Sequence, residues 1–100
     1  MITARISIPP ERLADFCRQH HIQKLSFFGS VLRDDFTPDS DIDVLVEFEP
    51  GFIPGLDFFT IQNKLSALLG RRVDLNTPGF LSPRFRDQVI TEAKVLFATP

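Results

Sequence analysis

The spacing of apolar residues changes period along this chain, and each change marks an element. From residue 42 to 48 the order Ile42-Asp43-Val44-Leu45-Val46-Glu47-Phe48 alternates at every second position, the period of a strand. Ile42, Val44, Val46 and Phe48 share the face that reads as core. Asp41, Asp43, Leu45 and Glu47 share the other. Leu56–Leu69 repeats instead at helical spacing: Phe58, Ile61, Leu65, Leu68 and Leu69 form one stripe, Asp57 sits in the first turn, and Gly70 is a suitable stop. A shorter helix opens at Pro9-Pro10, with Glu11 where the helix dipole favours an acid. It buries Leu13, Phe16 and Cys17 and ends near His20-His21. A third helix starts at Ser82-Pro83, an N-cap followed by proline, and runs to about Ala93 with Phe85, Val89, Ile90 and Ala93 inward.

Lys24–Phe28 and Arg71–Asn76 read as two further strands, the second alternating Val73 and Leu75 with Arg72, Asp74 and Asn76. Val95–Ala98 reads as a short final strand or a tail packed on the core. Ile2, Ala4, Ile6 and Ile8 alternate weakly, as a frayed extension or an edge strand. Residues 49–55 form a loop by their Pro and Gly content. Within it Phe52 and Ile53 either tuck onto the core or face a partner, and the core is the preferred reading. The sum is an α/β (α+β) fold: one domain over residues 1–100, with a small mixed sheet of three to four strands and helices packed on it.

Composition narrows the function classes. The net charge of −2 argues against a general nucleic-acid binder, which is normally basic. A lone cysteine, Cys17, excludes an internal disulfide or a cysteine zinc site and suits a reducing cytoplasm. No apolar run approaches the ~20 residues of a membrane span. Charge is uneven: five aspartates and two glutamates lie from Asp34 to Glu49, with no Lys or Arg between Arg33 and Lys64. These carboxylates lie inside an apolar strand pattern, a poor placement for mere solvation.

The candidate chemistry gathers around that strand. Asp41 and Asp43, two residues apart, project from one face, and such a pair repels itself unless a cation intervenes. Asp74 is a third carboxylate on a strand. Gly29-Ser30 ends the strand Lys24–Phe28 and opens a short helical segment to about Asp34, a geometry that turns backbone N–H groups and a hydroxyl toward an anion. Three carboxylates on neighbouring strands suit two divalent cations of the kind that clamp a phosphoryl displacement. An EF-hand reading of Asp39, Asp41 and Asp43 fails, because Val44 stands where glycine belongs and Pro50 where the bidentate glutamate belongs. Adjacent His20 and His21 point apart on a helix and make a weak metal motif.

Gly29-Ser30-x-x-Arg33 followed by Ser40-Asp41-Ile42-Asp43-Val44-Leu45-Val46 resembles the signature of the minimal nucleotidyltransferases (MNT) of the DNA polymerase β-like superfamily. Val73-Asp74-Leu75 matches the position of that family's third carboxylate. The resemblance runs from about Leu25 through the last helix, with Asp34 where many relatives have glycine. It implies the polymerase β-like fold and a nucleotidyltransferase that takes ATP with Mg²⁺, two ions at full occupancy. In that scheme Gly29 and Ser30 hold the β- and γ-phosphates. Asp41, Asp43 and Asp74 ligate metal, and Asp74 helps deprotonate the acceptor hydroxyl. Arg33 contacts the triphosphate or buttresses the acidic cluster.

The resemblance also implies a partner, an HEPN-type ribonuclease toxin whose tyrosine receives AMP, with this chain as cytoplasmic antitoxin. Neither membrane nor direct nucleic-acid binding belongs to the scheme. All eleven aromatic residues here are phenylalanine, so a tyrosine acceptor has to come from another chain. Docking candidates for that partner are the loop around Phe52 and the side chains of Arg71, Arg72, Arg84 and Arg86. Two alternatives stand beside this scheme: a non-catalytic module that masks its partner by contact, and a stand-alone small-molecule nucleotidyltransferase.

Overall fold

The computed structural model of the chain describes residues 2–3, 6–32, 37 and 40–99, with backbone only at 2, 3, 6, 7 and 30. Strands β1 (Ile2–Thr3) and β2 (Ile6–Ser7) pair antiparallel with each other and, among the described residues, with no other strand, so they form a two-stranded ribbon apart from the main sheet. Helix α1 (Pro10–Gln19) follows, its first turn set by proline at N1. It leads into β3 (Ile22–Phe28), which begins two residues earlier than its apolar pattern predicts. A 3₁₀ turn over Gly29–Leu32 comes next, then β4 (Ile42–Phe48), helix α2 (Asp57–Leu69) and β5 (Val73–Asn76). A second 3₁₀ turn, helix α3 (Pro83–Glu92) and β6 (Lys94–Ala98) complete the order.

The main sheet runs β5-β4-β3-β6. β3 pairs antiparallel with β4 on one side and with β6 on the other, whereas β4 and β5 are parallel. A parallel pair needs a crossover, and α2 supplies it. Gly70 ends α2 in the left-handed conformation at φ +70°, where a Cβ would be strained.

One face of the sheet carries the main core. Leu25 and Phe27 of β3, Ile42, Val44 and Val46 of β4, and Val73 and Leu75 of β5 pack there with Leu13, Phe16 and Cys17 of α1 and Phe58, Ile61, Leu65 and Leu69 of α2. Fully burying each large aliphatic side chain contributes roughly 1.5–3 kcal/mol. Gln62 and Ser66 of α2 tie the helix to β5: Leu75 N–H donates to Gln62 Oε1 at 2.9 Å and Val73 N–H to Ser66 Oγ at 3.0 Å.

Three burial expectations are corrected. Leu45, assigned to the carboxylate face, is only 3% exposed, so mid-strand β4 is covered on both sides. Phe85 and Ile90 of α3, expected inward, are exposed, and α3 buries no residue fully. Phe85 instead lines a cavity with Phe28, Gly29 and Leu32. Ile53 of the 49–55 loop, expected on the core, is 86% exposed, while Phe52 is half-buried, stacked on His21 at 4.5 Å and near Phe48 at 5.5 Å.

Cys17 is fully buried, and burial pushes its thiol pKa up to about 12, opposed only weakly by nearby Arg18. The unfolded thiol ionises near 9, so the folded state loses the advantage of a protonated Cys17 as pH rises from about 9 to 12. Urea titrations across that range are expected to show stability falling by up to about 1.4 kcal/mol per pH unit. The same titration on Cys17→Ala should lack this component of the slope.

Candidate active site

Hydrogen bonds between β4 and β5 set the geometry. Asp43 is the register partner of Asp74, and Ile42 is the partner of Val73. Side chains of register partners on neighbouring strands share a face, with backbones ~4.8 Å apart. Asp41 precedes β4 by one residue, two positions before Asp43, as Arg72 precedes Asp74. Ile42 N–H donates to the Arg72 carbonyl at 2.9 Å, which extends the ladder to this level. Three carboxylates and one guanidinium thus occupy two successive levels of one sheet face.

Opposite Asp43 stands the end of β3, where Phe28 is its antiparallel partner and Gly29 follows. Gly29 has φ +75°, and a Cβ built there would run into Asp43 Oδ2. Glycine at 29 therefore serves two needs at once: a left-handed turn out of β3 and close approach to the carboxylate.

Asp41 accepts a hydrogen bond from Arg72 Nε at 2.6 Å, an ion pair between side chains 43% and 78% exposed respectively. That bond, reinforced by the carboxylate's charge, raises the Arg72 pKa further above its already high ordinary value. Asp74 is exposed, and its carboxylate has no hydrogen-bond or ion-pair partner among the described residues. Arg71 staples the segment ahead of β4, its Nη2 donating to the carbonyls of Thr37 at 2.8 Å and Ser40 at 2.9 Å. Ser40 Oγ in turn accepts from Thr37 N–H at 3.0 Å.

Asp43 and Asp74 are thus brought together across the ladder, with Gly29 against Asp43. Asp41 shares their face, but its carboxylate is engaged by Arg72, and no group of three His, Cys, Asp or Glu side chains is gathered closely enough to hold a metal among the described residues. The donor set itself fits a hard divalent cation: carboxylate oxygens from adjacent levels of two neighbouring strands, with one cationic side chain already attracted to them. Arg33 and the Ser30 side chain lie outside the described residues.

Of the arginines expected at a docking surface, Arg71, Arg72 and Arg86 bind the chain's own groups, Arg86 Nε donating to the Pro78 carbonyl at 2.8 Å. Arg84 lies over the Phe85 ring at 5.9 Å. The His20-His21 pair is divided as expected. His20 is packed against Phe16, its pKa lowered by burial and by nearby Lys64 and His21, while His21 lies 3.4 Å from Glu49.

Sequence reasoning missed a cavity of ≈520 Å³ beside Gly29, walled by Phe28, Leu32, Phe85 and Val89 with Gln88 and Glu92. Phe85 and Val89, four residues apart, were the signal, but they read as ordinary core.

Comparison with known proteins places these features in context. The Nucleotidyltransferase domain family profile matches residues 10–96. A Methanocaldococcus jannaschii protein bearing a provisional protein adenylyltransferase name is 36% identical over 75 residues, covering 75% of this chain and 80% of that protein. The protein adenylyltransferase MntA of Thermococcus cleftensis is 39% identical over 72 residues, 71% of each chain. Among solved structures, one described as a minimal nucleotidyltransferase superposes with a TM-score of 0.69 at 40% identity, over 84% of this chain and 85% of that one. A chain from the structure of tri-AMPylated Shewanella oneidensis HEPN toxin in complex with MNT antitoxin gives a TM-score of 0.64 at 25% identity, over 90% of this chain and 70% of that one.

The Gly29–Asp43 contact can be tested without ligand. Gly29→Ala is expected to lower unfolding free energy by about 1–3 kcal/mol, from left-handed strain plus the clash. Combining it with Asp43→Ala should recover part of that loss, because the oxygen it meets is gone. Denaturant melts of the single and double variants measure the coupling, and strict additivity would mean that the two residues do not touch.

Proposed function

Because the chain belongs to the nucleotidyltransferase domain family, we propose that it is a Mg²⁺-dependent protein adenylyltransferase that moves AMP from ATP to a tyrosine hydroxyl of a partner protein. The observation that carries this reading is the register of Asp43 against Asp74, with Gly29 backed onto Asp43. It leaves two carboxylates side by side at a glycine turn where a polyphosphate can approach the backbone. The named relatives support protein as the acceptor class, and the HEPN–MNT complex supports an HEPN-type ribonuclease toxin as the partner. In this reading the chain is the antitoxin and acts in the cytoplasm, where ATP is present.

Asp41, Asp43 and Asp74 hold the metal, with two ions at full loading. Held there, Mg²⁺ would supply charge neutralisation for the polyphosphate and polarisation of the α-phosphoryl group. The turn at Gly29-Ser30 takes the β- and γ-phosphates through its backbone N–H groups and the Ser30 hydroxyl, with Arg33 adding charge. The apolar wall of Phe28, Leu32, Phe85 and Val89 takes the nucleoside. Asp74 accepts the proton of the attacking hydroxyl. A bond then forms between that oxygen and the α-phosphorus, the bond to the bridging oxygen breaks, and pyrophosphate leaves in line. No tyrosine exists on this chain, so the acceptor oxygen arrives in trans.

Incubation with ATP and Mg²⁺, with and without an HEPN partner, followed by mass spectrometry, tests the reading. The expected result is an AMP mass gain on a partner tyrosine. Asp43→Asn should reduce that transfer by on the order of 10²–10³-fold with the fold retained, since it removes a metal ligand. Complex formation without any transfer would reject catalysis, and strong labelling of this chain's own Ser or Thr would reject the trans acceptor.

A further inference from the structure

The short ion pair between Arg72 and Asp41 has no task in the transfer chemistry as set out above. Its position is specific. Arg72 stands one level below Asp74, just ahead of β5, and Asp41 one level below Asp43, just ahead of β4, with the Ile42 N–H to Arg72 carbonyl bond holding the two segments together. The guanidinium is therefore bound to one of the three carboxylates on this sheet face, Asp41. Both partners are largely open to water, so the pair is held by charge and one short hydrogen bond, not by burial. A surface pair of this kind is weak and exchangeable. It also competes with bidentate use of Asp41 as a metal ligand, since the oxygen that Arg72 grips is one of the two available for coordination.

We propose that Arg72 is a built-in counter-cation for the acidic face: it occupies Asp41 in the metal-free protein, gives that ligand up on metal loading, and then turns its charge to the nucleotide's phosphates. The inference rests on the reading of Asp41 as a metal ligand. Charge accounting supports it. At the level just ahead of β4, Arg72 answers the charge of Asp41, which otherwise stands two residues from Asp43 on the same face. With Arg72 paired, one repulsion is replaced by an attraction. Once Asp41 is engaged elsewhere, the guanidinium is released on the face of Asp74, the face to which the proposed function assigns the polyphosphate. Arginine suits that second role because its planar fork matches phosphate oxygens.

The test begins with Mn²⁺ as probe, without nucleotide, in calorimetric titrations of the wild type, Arg72→Gln, Arg72→Lys and Asp41→Asn, each checked for folding by circular dichroism. Removing a competitor is expected to make Arg72→Gln bind Mn²⁺ about two- to five-fold more tightly, the scale of an exposed ion pair. Arg72→Lys should lie between the two. At saturating Mn²⁺, the same Arg72→Gln protein should bind ATP more weakly than the wild type. Equal or weaker Mn²⁺ binding by Arg72→Gln, in a protein where Asp41→Asn loses it, overturns the proposal and leaves the metal site standing. Unchanged Mn²⁺ binding in Asp41→Asn overturns the metal reading of Asp41 and the counter-cation with it. Tighter Mn²⁺ with unchanged ATP affinity rejects the turn toward phosphate.

Discussion

Two like charges held one strand spacing apart are the constraint to which the rest of this fold answers. Asp43 and Asp74 face the same side of a parallel ladder as register partners. At ~5 Å their repulsion is on the order of 1 kcal/mol in water and ~3 kcal/mol at an effective dielectric of 20. Asp74 is exposed, which keeps the cost toward the lower figure. On the opposite face of the same two strands, Ile42, Val44, Val46, Val73 and Leu75 are all buried, and each contributes roughly 1.5–3 kcal/mol. The core thus holds the carboxylates in place with a comfortable margin, and α2, anchored through Gln62 and Ser66, fixes β5 in register. Gly29 then closes on Asp43 from the β3 side, where any other residue would push the carboxylate away.

Much of this could be read before any coordinates. The alternation from Ile42 to Phe48 located β4 to the residue, and the stripe Phe58-Ile61-Leu65-Leu69 located α2 to within one position. Those elements are legible because one face is apolar and the other is not. Asp41, Asp43 and Asp74 stood out for the same reason: a carboxylate inside a strand pattern has few structural excuses. The sequence suggested Gly29 as room for an anion. Its contact with Asp43 was not legible there, since it depends on how β3 pairs with β4.

What the sequence hid was two-sided packing and long-range polar pairing. Leu45 looked like a solvent-face position because alternation cannot reveal what covers the second face. Phe85 and Ile90 looked like core because helical periodicity does not say whether the facing surface is apolar. In the fold Phe85 lines a cavity with Phe28, Gly29 and Leu32. Arg72 looked like one of four candidate docking arginines, yet its alternation with Val73 was enough to place it on the face of Asp74. Only the parallel register of β4 and β5, which no local pattern specifies, brings it to Asp41.

The strand order has a consequence for how the domain is made. β3 lies between β4 and β6, and β6 is the last of the sheet's strands to leave the ribosome. Until residues 94–98 emerge, the β3 edge that later receives Lys94 to Ala98 has no strand partner, and Gln23 still awaits the N–H of Thr99. Exposed edges of this kind invite pairing with other nascent chains. The antiparallel β3–β4 pair can form early from nearby residues. The parallel addition of β5 waits for α2 to be complete, and the sheet closes only with β6. An interrupted translation product would therefore carry the acidic face in near-final form on an unfinished, association-prone sheet. The steps of synthesis beyond β5 thus separate a chain with an open β3 edge from one whose sheet is closed.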